Sequence, residues 1–353
     1  MSQAVQPRTP LRAALTAATA IVLLALLAPL GGGAAHAQRV KMATLSPEGS
    51  PWDTILKRMG ERWSAETDGR VSLAIYPGGV AGDEPDIVRK MKIGQYNAAA
   101  LSVAGLADID EYFTVFEIPL FFDSYPEMRN VLEALTPTLS ERLEDKGFQL
   151  LGWGYVGWVY FFTAKPVTAL EDLQRLKIFT WAGDEAMVQW WRRNGFKPVA
   201  LAATDIMTGL ETGLIEAISV PPLYAMQTQY YKQAPYMADL GLAPMIGAIL
   251  MTKRSFDRLS EADQKTVLAA SKEASDDVLE QIPKLDETAI KLMQSQGLEI
   301  TSVRDSEHSR QWFEAASRFA HDMRGTIVPI PVFDEAVAAR DAYRKRAASE
   351  GSP

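Results

Sequence analysis

Gly152-Trp-Gly154-Tyr-Val-Gly157 has the G-x-G-x-x-G spacing of a dinucleotide-binding turn. Such glycines hold a pyrophosphate only when the turn opens a helix, whose first N–H groups face the phosphates. Here the chain continues as Trp158-Val-Tyr-Phe-Phe162, a β-type run of aromatics, and no acidic residue follows at the usual distance. Nucleotide binding is therefore not expected, and the glycines are read as giving a crossing segment unusual backbone angles. Asp108-Ile-Asp110-Glu111 is a carboxylate cluster of the kind that is ordinarily solvated, and Glu211 and Glu216 suit capping or surface roles at a helix end. The chain has no cysteine and only three histidines, of which His308 and His321 lie beyond residue 37. Thiol catalysis, disulfides and thiolate metal sites are excluded, and a histidine-based triad or metal site is poorly supplied. No enzyme, cofactor or metal is expected.

Aromatic residues near the ends of predicted strands are more informative. Trp52, Phe116, Trp153, Trp158, Trp181 and Tyr224 fit a cleft lined by aromatics with a few polar groups. Read one at a time, each could equally be a core residue.

The elements that would position them alternate between strand and helix. Strands are expected at 39–45, 71–76 and 98–103, with helices at 51–67 and 86–93, the first presenting Ile55, Leu56, Met59 and Trp63 on one face. The pattern restarts with strands at 148–153, 158–163, 176–180, 217–220 and 248–252 and helices at 185–194 and from 204 to about 213. Repeated β-α-β units imply parallel sheets covered by helices, with ligands at the carboxyl ends of the strands. A long helix from Leu259 to Gln296, capped by Ser260 with Asp263 three residues on, keeps apolar spacing throughout, although Pro283 should kink it. It is long enough to brace two lobes. A helical pattern over 332–346 gives way to a loose polar tail.

At the N-terminus, Arg8 and Arg12 precede an apolar run from Ala13 to Leu30 and then Ala35-His-Ala37. A positive start, a short apolar core and small residues before the cut describe a secretory signal, with cleavage expected after Ala37. The run is broken by Pro29 and falls short of a membrane span of about 20 apolar residues. Its removal would leave a chain more acidic than the full-length formal charge of −8, which argues against a nucleic-acid partner.

Several ordered segments resemble the extracytoplasmic solute-binding component of a tripartite ATP-independent periplasmic (TRAP) transporter, of the dicarboxylate-binding type. They are Ser46-Pro-Glu-Gly-Ser-Pro-Trp52, Tyr76-Pro-Gly-Gly-Val-Ala-Gly82, Met91-Lys-Ile-Gly94, Glu117-Ile-Pro-Leu-Phe-Phe122, Leu173-Gln-Arg-Leu-Lys-Ile178, Gly209-Leu-Glu-Thr-Gly-Leu-Ile-Glu-Ala217 and the long helix. The resemblance implies an α/β fold of two lobes with a ligand between them, closure on binding, delivery to TRAP membrane permease subunits in the periplasm and, in some relatives, a tetratricopeptide-repeat partner. The corresponding division is a first lobe over 38–157, a second over 158–247, a returning strand and long helix over 248–300, a C-terminal segment over 301–345 packing on the lobes and a disordered tail over 346–353.

The resemblance also implies an arginine just after the lysine–isoleucine pair, gripping a substrate carboxylate with a two-pronged fork, and an asparagine in a glutamate–asparagine–proline pattern. Here Lys177-Ile178 is followed by Phe179, and the second pattern reads Ser219-Val220-Pro221. Burying an unpaired carboxylate beside Phe179 and Val220 would cost several kcal/mol. The expected ligand is therefore hydrophobic or neutral rather than a small organic acid. Trp52, Phe116, Trp153, Tyr155, Phe179, Trp181, Val220, Tyr224 and Met245 would line the site, and Ser102, Thr180 and Ser219 would orient the ligand. Three alternatives remain: an organic acid held by another cation (Lys41, Arg89, Lys165, Lys177 or Arg192), a periplasmic lipid or hydrophobe carrier, and an enzyme on the same scaffold.

Overall fold

A computed structural model describes residues 37–349. The expected leader, Ala37 apart, and residues 350–353 lie outside the described residues. No helix among the described residues is long and apolar enough to cross a membrane.

The chain begins with β1 (Gln38–Thr44), α1 (Pro51–Glu66), β2 (Val71–Tyr76), α2 (Glu84–Lys92) and β3 (Ala98–Ser102). Ser50 caps α1 by accepting the Asp53 N–H, and the helix buries Ile55, Leu56, Met59 and Trp63, the face its spacing predicts. β1 pairs in parallel with both β2 and β3. Next come α3 (Val103–Ile109), a 3-10 turn (Glu111–Glu117), α4 (Tyr125–Asp145) and β4 (Phe148–Thr163). The second β-α series contains α5 (Leu170–Arg175), β5 (Lys177–Trp181), α6 (Glu185–Arg193), β6 (Lys197–Leu201), α7 (Ile206–Glu211), β7 (Ala217–Val220), α8 (Pro222–Gln227), β8 (Tyr236–Ala238) and β9 (Ala243–Thr252). The chain ends with α9 (Lys253–Phe256), α10 (Glu261–Ser295), β10 (Glu299–Thr301), α11 (Ser309–Met323) and α12 (Ile330–Ser349).

The main strand order is β2-β1-β3-β9-β4-β7-β5-β6, with β8 joining β4 to β10. β4 and β9 are the shared strands. β4 pairs with β9 over Phe148–Val159, and its last residues, Tyr160–Thr163, pair with β7. One 16-residue strand thus replaces the two expected at 148–153 and 158–163. Register shifts at Leu150/Gly152 and Tyr155/Gly157 let it bend without breaking.

The glycine triplet therefore lies inside a strand and opens no helix. Gly157 alone of the three has a left-handed backbone, φ +137°. A Cβ there would come within 2.5 Å of Asp286 Oδ2 and 2.7 Å of Pro221 Cβ. Gly152 serves a different need from the one expected, since a Cβ would collide with Ser275 of α10.

α10 runs 35 residues, about 52 Å at helical rise. Ser260 caps it as expected, and the helix continues through Pro283. Its Asp286 accepts the Trp158 N–H at 3.3 Å and the Leu223 N–H at 2.9 Å, tying the helix to the point where β4 crosses from one sheet region to the other. Burial raises the Asp286 carboxyl to about 7.

Two other expectations change. α4 was not read from the sequence, although Met128, Val131, Leu132, Leu135, Leu139 and Leu143 are buried at helical spacing. Pro137 sits inside the helix and obscured the pattern. The loose tail expected after Arg344 is helical through Ser349, with Arg344 paired to Asp123 and Glu127, each at 2.8 Å.

Candidate ligand cleft

Two adjoining cavities share Ser102, Phe179, Trp181, Ser219 and Met245 in their walls. Their empty volumes, open mouths included, are 1230 and 980 Å³, an upper bound that leaves room for a metabolite-sized ligand. The twelve residues expected to line or orient within the site each line one or the other, whereas Trp158, also expected among the cleft aromatics, lines neither and packs edge-on against Tyr125. Phe116 and Thr180 face the first cavity. Trp52, Trp153, Tyr155, Val220 and Tyr224 face the second.

β5 brings Phe179 and Trp181 to the cleft because residues two apart share a strand face. Their rings meet edge-on at 5.4 Å. Trp52 enters from the start of α1, donates its indole N–H to the Tyr155 carbonyl at 2.9 Å, and meets Tyr224 edge-on at 6.3 Å. Trp153 donates to Thr136 at 2.9 Å, and the Tyr155 hydroxyl contacts Met128 sulfur at 3.0 Å. These polar tips are spent within the protein, so the rings offer apolar surface.

The expected polar contacts divide. Thr180 and Ser219 have no side-chain hydrogen bond among the described residues. Ser102 differs: its hydroxyl donates to Glu84 at 2.7 Å and caps α3 by accepting the Ala104 N–H. It is committed to the scaffold.

Three acids in the walls escaped the sequence reading. Glu84, 2% exposed, accepts the Ser102 N–H, the Ser102 hydroxyl and the Gly105 N–H. Burial raises it to about 7 despite these bonds. Asp184 caps α6 by accepting the Met187 N–H at 2.9 Å, and burial raises it too. Glu117 ends the 3-10 turn and has no side-chain hydrogen bond among the described residues. Its Oε2 is buried without a partner, and burial, then the charge of Asp184, pushes it up to about 8. Glu117 stands in the Glu117-Ile-Pro-Leu-Phe-Phe122 segment already noted, but nothing local marks its carboxyl as facing a cavity. α11 was missed as well, and its Trp312 and Phe319 wall the first cavity.

No lysine or arginine lines either cavity. Of the alternative cations, Arg89 pairs with Asp86 at 2.7 Å, Lys165 with Glu216 at 3.3 Å and Arg192 with Glu185 at 3.9 Å. Lys177 bonds the Gly213 carbonyl, and Lys41 is exposed.

Asp83, at the N-terminus of α2, accepts the Ala203 N–H at 3.0 Å from the segment after β6. This bond joins the two sheet regions beside the second cavity, whose wall includes Ala203.

The profile of the bacterial extracellular solute-binding proteins, family 7, matches residues 42–324. The ectoine/5-hydroxyectoine-binding periplasmic protein UehA of Ruegeria pomeroyi is 24% identical over 259 residues, 72% of this chain and 76% of its own length. DctP7 of Bordetella pertussis, an extracytoplasmic solute receptor binding pyroglutamic acid, superposes with a TM-score of 0.79 at 17% identity, covering 86% of this chain and 100% of its own. A TRAP periplasmic solute-binding protein of Pseudomonas putida F1 with bound D-glucuronate superposes at 0.74 and 20% identity, covering 81% and 92%. The two-lobed α/β fold is common to this chain and these structures. With an aromatic cleft where the two sheet regions meet, the chain is a TRAP-type solute-binding protein rather than an enzyme, and it belongs to family 7 of the bacterial extracellular solute-binding proteins.

Proposed function

We propose that this protein captures a largely apolar ligand carrying no carboxylate, closes its lobes over it, and delivers it to TRAP permease subunits in the periplasm. The carrying observation is that neither cavity has a lysine or arginine in its wall, while Phe179 occupies the position where the family resemblance implies an arginine fork. A carboxylate placed there would lose its hydration with no cation to replace it, at a cost of several kcal/mol. The relatives described with pyroglutamic acid and D-glucuronate bind acids, which makes the cation-free wall the point at issue. Closure follows from a ligand that touches both lobes only when they meet, since only differential contact shifts such an equilibrium. The hydrophobe-carrier reading, including docking to a tetratricopeptide-repeat partner, uses the same pocket and differs only in the recipient.

Native mass spectrometry of protein purified without refolding, with thermal-shift titration, tests this. The expected outcome is an apolar co-purifying species and no shift with D-glucuronate or pyroglutamate. Phe179→Arg should weaken binding of the co-purified ligand by ~10-fold or more and admit carboxylates. A co-purifying small dicarboxylate, or D-glucuronate bound tightly by the unaltered protein, would overturn the reading.

A further inference from the structure

We propose that the first cavity receives the positively charged head of an apolar ligand, an organic ammonium, with Glu117 as its counter-ion. This rests on the reading that the cleft refuses carboxylates, and narrows it to one ligand class.

The first observation is an unmet acceptor. Glu117 lines the first cavity, its Oε2 is buried without a partner, and no basic residue shares the wall. Buried polar atoms are nearly always satisfied, so a persistent exception calls for a partner absent from the chain. Packing does not supply one, because the charge acting on Glu117 is that of Asp184, of the same sign. A carboxyl that receives no hydrogen bond, beside a like charge and with no basic residue in the wall, is complemented by a cation carrying N–H groups.

The second observation is the character of the wall. Phe179, Trp181, Trp190, Trp191, Phe196 and Phe319 surround the same cavity. Ring faces carry partial negative charge and attract cations, most strongly when desolvated. Trp190 and Trp191 meet edge-on at 5.4 Å and Trp190 and Phe319 at 5.0 Å, a rigid arrangement that costs little to preorganise. An aromatic enclosure with one unpaired carboxyl suits an ammonium head and its hydrocarbon body together. Glu84 offers no such chance, since its oxygens are taken by Ser102 and Gly105.

The test uses three probes of one shape, 3-phenylpropylamine, 3-phenylpropanol and 3-phenylpropionate, titrated calorimetrically into the protein after removal of any co-purified ligand. The amine should bind ~10-fold or more tighter than the alcohol, and the acid weakest. Raising the pH through about 8 should strengthen amine binding as Glu117 ionises beside Asp184, with no such change for the alcohol. Glu117→Gln and Glu117→Leu should each abolish the amine's advantage while leaving the alcohol's affinity within about twofold. An amine no better than the alcohol, or an advantage that survives both substitutions, overturns the proposal and leaves the apolar reading standing. Tightest binding of the acid, or binding of none of the three, sinks both.

Discussion

Each cavity of the cleft has a glutamate in its wall with a buried carboxyl oxygen, and the two glutamates live in opposite circumstances. Glu84 in the second cavity accepts three hydrogen bonds and holds β3, Ser102 and the start of α3 together. Glu117 in the first has none among the described residues. Burial raises both, yet only one is built into the scaffold. A buried acid with all its bonds made is a structural part. A buried acid with none is either a liability or a waiting contact.

The largest effect that sharpens this contrast is expected from pH. Glu84, Asp286 and Glu117 titrate near 7, 7 and 8 in the fold, against values near 4 for exposed carboxyls. Between these limits the three groups hold more protons in the fold than in the unfolded chain, so their contribution to stability is fullest below about pH 4 and falls as pH rises toward 8. Thermal unfolding of ligand-free protein should show a loss on the order of several kcal/mol from pH 5 to 8.5 from these groups. Glu117→Gln should flatten that slope, and an unchanged slope would remove Glu117 from the set of raised carboxyls.

Next in size is direct substitution. Glu84→Ala strands the Ser102 and Gly105 N–H groups and should cost ~3 kcal/mol or more in urea denaturation. Glu117→Leu should be neutral or stabilising by about 1 kcal/mol, because it removes a buried carboxyl oxygen that has no partner. Equal losses in the two variants would break the contrast.

Smaller again, Gly157→Ala should cost ~2 kcal/mol. Its left-handed backbone disfavours any side chain, and the new methyl would push on Asp286 and Pro221 where β4 crosses between the sheet regions. Ligand affinity should fall with it, since both cavities depend on that crossing. A fall in stability with intact affinity would place the strain away from the cleft.

Much of this was legible in the sequence. β2 and β7 fall at their expected residues, the Ser260 cap is in place, and the face of α1 is the one its spacing predicts. These are local features, fixed by side-chain period and by hydrogen bonds within four residues. The twelve candidate residues line the two cavities, but not all from strand ends: Trp153 and Tyr155 sit mid-strand in β4, Tyr224 lies in α8 and Phe116 in the 3-10 turn. The single β4 was not legible, because Gly154 to Gly157 reads locally as a break and only pairing with β9 on both sides of it makes one strand.

By itself, then, the sequence determined the alternation of elements, the absence of thiol chemistry, the apolar Phe179 and Val220 at the expected polar positions, and the resemblance that led to the family. Tertiary structure alone decided that Ser102 is spent on Glu84, that no cation reaches the walls, and that Glu117 faces a cavity with its carboxyl unmet. The physical reason is that hydrogen-bond satisfaction and desolvation belong to a site's whole surroundings. Groups far apart in the chain, from Glu117 to Phe319, set them together.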